Sequence, residues 1–122
     1  MAGLTNAESQ ATLDARFPTT GGGDHIAYST NGTSEFAGLA RTAVGATGWA
    51  AATAADPSVK ANGTELLSAE ATAGGTVTHY ALFTASSSGT QRTDWTAFDT
   101  ARTVAIGDKL RHIVGAIKIT LS

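Results

Sequence analysis

The sequence predicts a mainly β fold: a single antiparallel β-sandwich or barrel-like domain over residues 24–122, preceded by one short helical segment in residues 1–18. Three observations carry this. Thr, Val, Ile and aromatic residues recur between turn signals about 8–12 residues apart, the rhythm of short antiparallel strands. The chain ends in strict alternation over Gly115–Ser122, with Ile117, Ile119 and Leu121 on one face and Lys118, Thr120 and Ser122 on the other. The one good helix candidate lies before the breaker cluster Thr19–Asp24 (TTGGGD).

The helix is read from LTNAESQATLDARF, Leu4–Phe17. Thr5 and Glu8 stand at capping-box spacing, so the Thr hydroxyl can accept from a backbone N–H three residues on. The helix starts near Asn6 and stops before Pro18, whose ring disfavours a helical residue ahead of it. Leu4, Ala7 and Ala11 share a weakly apolar face. A helix this short is unstable alone and must pack on something.

His25–Thr30 (HIAYST) reads as a strand, with NGTSE as the turn after it. Gly38–Ala55 holds one or two strands whose period is blurred by alanine, and Asp56-Pro57 marks a loop. Ala61–Thr72 is a strand or a short helix, entered through a tight turn at Asn62-Gly63. In Thr76–Thr84, Val77, His79, Ala81 and Phe83 alternate with Thr78, Tyr80, Leu82 and Thr84. Both faces carry bulky residues, so both are partly covered. Arg92–Phe98 is a further strand, and Gly107-Asp108 a turn. The terminal strand is expected to be paired, because an unpaired one frays.

Composition sets the bounds. A chain of 122 residues suffices for one domain. Its hydrophobic fraction is 42%, but large core side chains are few: four Phe, two Trp and two Tyr. Charged residues make up only 15%, a surface suited to burial against partners. A net charge of −2 with no basic stripe gives no support for nucleic-acid binding. The absence of cysteine excludes disulfides, thiolate metal sites and cysteine nucleophiles. No apolar run approaches a membrane span, so no membrane partner is expected. MAGLTNAESQ lacks the pattern of a secretory signal, so synthesis in a cytoplasm is expected.

One pattern invites a chemical reading. His-x-Ala-x-x-Thr occurs at His25–Thr30 and again at His79–Thr84, each time followed by a Ser/Thr/Gly loop. Either an active site recurs or a piece of sheet recurs. His25, His79 and His112 form no local metal-ligand pair. No Gly-x-Ser-x-Gly elbow exists, and Gly21–Gly23 lacks the Lys-Ser/Thr of a phosphate loop. The carboxylates Glu65, Glu70, Asp94 and Asp99 are dispersed, whereas a glycosidase needs two across a cleft. The expectation is no catalytic residue, no metal and no cofactor, and the echo is a repeated strand with its loop. Asn31-Gly32-Thr33 and Asn62-Gly63-Thr64 fit a glycosylation sequon but read as turns. Trp49 and Trp95 are core anchors or sugar-stacking platforms, with packing the favoured role. Trp49, Phe83, Trp95 and Ile117 are the candidates for core or trimer packing. Removing the Trp95 side chain would cost about 3–5 kcal/mol if it were fully buried.

Several segments together resemble a family of small tailed-bacteriophage virion proteins, labelled tail-fibre-like and in some phages serving as capsid decoration (cement) proteins. These are the LTN opening (Leu4–Asn6), the Thr-His-aromatic-Ala-Leu-Phe strand (Thr78–Phe83) with its small-residue loop (Thr84–Thr90), Gly-Asp-x-Leu (Gly107–Leu110) and the alternating end (Gly115–Leu121). Glu35, Gly38 and Arg41 match the family's Glu-x-x-Gly…Arg stretch with tighter spacing. The first echo, AYSTNGTS, is more polar than the family's usual strand end. The resemblance implies a non-enzymatic virion protein, made in the host cytoplasm. Its leading form is a homotrimer on the outer capsid surface, bound to the major capsid protein and stabilising the shell. The alternative is a tail-tip or tail-fibre accessory protein that contacts the host surface through the loops after the echo strands. Under the decoration reading, Leu4, Thr5 and Phe17 are the capsid-contact candidates.

Overall fold

One short helix and a succession of strands make up the chain in a computed structural model, which describes residues 5–18, 23–45, 48–55 and 57–121. It is a mostly β protein. The strands form a four-stranded sheet and two two-stranded sheets, with antiparallel pairing in the four-stranded sheet and in the one that holds the last strand. The chain divides into two compact units. One comprises Met1–Gly22, Val44–Leu66 and His112–Ser122; the other comprises Gly23–Ala43 and Leu67–Arg111.

In the first unit, α1 spans Asn6–Arg16. Thr5 caps it, its hydroxyl accepting from the Glu8 N–H at 3.2 Å. At the other end the Phe17 N–H donates to the Leu13 carbonyl. The packed face is not the expected one. Ala7 and Ala11 are exposed, Leu4 lies outside the described residues, and the buried residues are Ser9, Leu13 and Phe17, four apart. Alanine methyls offer little area, whereas Leu13 and Phe17 offer much. Polar contacts fix the same rotation of the helix: Gln10 Nε2 donates to the Ala52 carbonyl at 2.9 Å, and Asp14 Oδ1 accepts from the Ala52 N–H at 2.9 Å.

The terminal strand is paired as expected. Counting β1 (His25–Ser29) and β2 (Thr42–Ala43) of the other unit first, β3 (Ser58–Ala61) pairs with Lys118–Leu121 from Ser58↔Leu121 to Ala61↔Lys118. The sequence reading placed no strand at Ser58–Ala61. There the polar residues Ser58 and Lys60 are buried, while Val59 and Ala61 are half-buried, so the hydrophobic pattern is inverted. Lys60 can occupy an inner position because its ammonium meets Asp14 Oδ1 at 2.7 Å. Asn62, 1% exposed, ties the unit together: its Oδ1 accepts from the Ile117 N–H, and its Nδ2 donates to the carbonyls of Thr64 and Ile113. Trp49 and Phe17 meet edge to face, ring centroids 6.0 Å apart, in a core with Leu13, Ala52 and Ile117.

Two-residue strands are all that form in the alanine-rich stretches. Gly38–Ala55 yields only β2 and an isolated bridge at Trp49 among its described residues. Ala61–Thr72 yields β4 (Leu66–Leu67) rather than a helix.

The second unit holds the four-stranded sheet, ordered β2, β1, β5 (Gly75–Phe83), β6 (Thr96–Val104). The remaining strands are β7 (Arg111–His112), paired with β4, and β8 (Lys118–Leu121). The two echo strands are therefore neighbours, with Tyr28 opposite Tyr80. Ile26–Ser29 and Tyr80–Leu82 are buried without interruption, so both faces of β1 and β5 are covered at those positions. The sheet's outer strands are blunted. β2 is two residues long, and β6 bulges: Val77 opposes Arg102 but His79 opposes Ala97, so Thr78 alone faces residues 98–101. β6 also starts later and runs further than the expected Arg92–Phe98. Residues 92–93 close the preceding loop instead: the Arg92 N–H donates to the Leu82 carbonyl, and the Leu82 N–H donates to Thr93 Oγ1.

Candidate functional site

Because β1 and β5 are antiparallel, the loops that follow them leave from opposite ends of the ladder. His25 sits opposite Phe83 and Ser29 opposite His79, so the two echo histidines lie four ladder steps apart, about 13 Å. They form no pair. His25 Nδ1 bonds the Gly23 carbonyl, and His79 Nδ1 bonds Thr78 Oγ1. No group of three or more metal-ligating side chains occurs among the described residues.

The loop after β1 is organised by its own side chains. Asn31 Oδ1 accepts from the N–H groups of Thr33 and Ser34, and Ser29 Oγ accepts from those of Asn31 and Gly32. This is the turn expected of Asn31-Gly32-Thr33.

The loop after β5, Thr84–Thr90, is built differently. Its base is closed by the Thr84 N–H to the Thr90 carbonyl and the Thr90 N–H to Thr84 Oγ1. Its interior is filled by Arg41, delivered by the chain just before β2. Arg41 Nη1 donates to the carbonyls of Ala85 (2.9 Å) and Ser88 (2.7 Å), and its other edge makes a bidentate pair with Glu35 at 2.9 Å for each bond. The guanidinium carbon lies 3.9 Å from the centroid of the Phe83 ring. Stacking and fork geometry together are what arginine, and not lysine, supplies. Ser88 holds φ +54°, a left-handed conformation a serine rarely adopts, and its carbonyl is one of the two that Arg41 grips. Gly89 follows at φ +73°, where an added Cβ would come within 2.6 Å of Thr84 Oγ1. The clamp thus fixes the backbone while Ser86, Ser87 and Thr90 stay exposed.

Trp95 flanks this loop. Its ring lies 6.1 Å from that of Phe83, and it is half-buried. Arg92 is bonded to the buried Asp24, which anchors the returning chain. The result is an aromatic surface beside rigid hydroxyls.

The remaining sequence candidates are distributed as follows. Trp49 and Ile117 are buried, at 3% and 0% exposure. Phe83 and Trp95 are half-buried and in contact. Phe17 is buried against Trp49, Thr5 is the exposed helix cap, and Leu4 lies outside the described residues. Trp49 is closed to any ligand, so a sugar-stacking role is open only to Trp95. Sequence reasoning singled out Glu35 and Arg41 only through the resemblance; neither was recognised as the loop's internal support.

An Arg41→Lys variant should keep the charge and lose the fork. Amide exchange of residues 85–90 is expected to quicken about tenfold or more, with β1 and β5 protection unchanged. Unaltered exchange in the loop would show that the clamp does not hold it.

The family model described as "Podophage GP4 fiber I protein gp80" matches residues 5–120. No curated protein matches the chain.

Proposed function

Since the chain belongs to the podophage GP4 fiber I protein gp80 family, a family of phage fiber proteins, we propose that it serves in the tail fiber apparatus and contacts the host surface through the Thr84–Thr90 loop and Trp95. Membership makes it a virion structural protein that acts by contact rather than catalysis. The observation that carries the host-contact reading is the half-buried Trp95 beside a loop whose backbone is held by Arg41. A rigid loop loses little conformational entropy on binding, and an aromatic face stacks on the apolar face of a sugar ring. Copies repeated on one particle convert weak single contacts into strong attachment.

The decoration arrangement, a homotrimer on the major capsid protein, is separated from this one by stoichiometry. Calibrated mass spectrometry of purified virions should find a few copies per particle; a ratio near one to one with the capsid protein would move the chain to the shell. Particles carrying Trp95→Ala are expected to assemble normally and adsorb at least about tenfold more slowly. Unchanged adsorption would remove Trp95 from the host contact.

A further inference from the structure

We infer that the surface around Trp95 takes uncharged pyranose rings and rejects acidic ones. This rests on the host-contact reading above and names the ligand class of that same site. The fixed charges around the loop are five, Asp24, Glu35, Arg41, Arg92 and Asp94, while the imidazole of His25, opposite Phe83, has its Nδ1 on the Gly23 carbonyl. Both cations are already engaged. Arg41 gives its Nε and both Nη atoms to Glu35 and to two loop carbonyls, and its side chain is only 7% exposed. Arg92 is bonded to Asp24 and is 18% exposed. The third carboxylate, Asp94, is exposed and adjoins Trp95 in the chain. Three acids against two bases leave the site one unit negative.

Of the other cations of this unit, Arg102 is opposite Val77 and bonds the Arg111 carbonyl, Lys109 follows the Asp108 turn that bonds Ala71, and Arg111 itself lies in β7. Thr96, next to Trp95, stands opposite Tyr80, three residues along β5 from Val77, about 10 Å at strand rise. That exceeds the Debye length of about 8 Å at physiological salt. A carboxylate, sulfate or phosphate on a sugar therefore meets Asp94 beside Trp95, where both neighbouring arginines are already engaged. A neutral sugar needs only what the site displays, an indole face with hydroxyl and backbone partners on Ser86, Ser87 and Thr90.

The test uses the full chain and a panel of immobilised oligosaccharides. One set is built of uncharged hexoses and deoxyhexoses; the other carries uronic acid, sialic acid or phosphate. Binding to members of the neutral set is expected, with affinity changing less than about twofold between low and high salt. Trp95→Ala should lose that binding at least tenfold, and Asp94→Lys should keep it while admitting acidic members. Wild-type binding confined to the acidic set, or steeply salt-dependent, overturns the neutral-ligand inference and leaves the host-contact reading standing. Binding to neither set, from a chain whose Trp95→Ala particles still adsorb poorly, overturns the inference and sends the host contact to a non-glycan receptor. Binding to neither set with normal Trp95→Ala adsorption overturns both.

Discussion

Trp49→Ala is expected to destabilise the protein by about 3–5 kcal/mol, the largest single-residue effect in the unit that contains α1, β3 and β8. The ring is 3% exposed and meets Phe17 edge to face at 6.0 Å. The other large buried apolar side chains of that unit are few, Leu13, Phe17, Val44, Leu66 and Ile117, so little is at hand to refill the space. The deletion also removes the aromatic pair, worth about 0.5–1.5 kcal/mol beyond burial. Phe17→Leu should lose the pair while retaining most of the apolar volume, and so cost less than half as much. Urea unfolding followed by far-ultraviolet circular dichroism measures both. A cost below about 1 kcal/mol for Trp49→Ala would mean that the unit's stability does not depend on this core.

The contrast between the two tryptophans shows how far the sequence was legible. Both sit among small and polar residues in the sequence, in GWAAA and TDWTA, and nothing local tells them apart. Trp49 is buried because α1 brings Phe17 to it; Trp95 is only half-buried because residues 92–93 are spent closing a loop. Elements with clean alternation and a capped helix were readable: α1, β1, β5 and β8 fall within a residue or two of their expected places, apart from the later start of β8. That start is delayed because Gly115, at φ +85°, closes a turn with the Ala116 N–H on the Ile113 carbonyl. β3 was illegible because its inner residues are Ser58 and Lys60, and a strand with its polar residues inside carries no hydrophobic period. The Arg41 clamp was illegible as a site for a related reason. Arg41 meets its loop partners 44 and 47 residues along the chain, a separation no local pattern encodes.

Asp14→Asn is expected to destabilise the same unit by about 3 kcal/mol, the lower end of the range for breaking a buried ion pair. Lys60 is fully buried, and its ammonium lies 2.7 Å from Asp14 Oδ1. Asparagine keeps an acceptor for the Ala52 N–H, so the change isolates the loss of counter-charge. The low end applies because the Asp14 side chain is 37% exposed and its charge is partly screened. Lys60→Met removes the burden instead of stranding it, so the double variant Asp14→Asn/Lys60→Met should recover most of the loss. The pair also sets an acid limit. The hydrogen bond from Lys60 and then that from the Ala52 N–H hold the Asp14 carboxyl below its ordinary value. A depressed carboxylate stabilises the fold above its unfolded pKa, about 3.9, and that contribution is lost as pH falls through the folded value. Wild type should therefore lose stability below about pH 4 more steeply than Asp14→Asn, and the gap between the two should narrow with acid. A gap that stays constant from neutral pH down to about pH 2 would show that the carboxylate charge contributes nothing, leaving the cost of Asp14→Asn to packing alone.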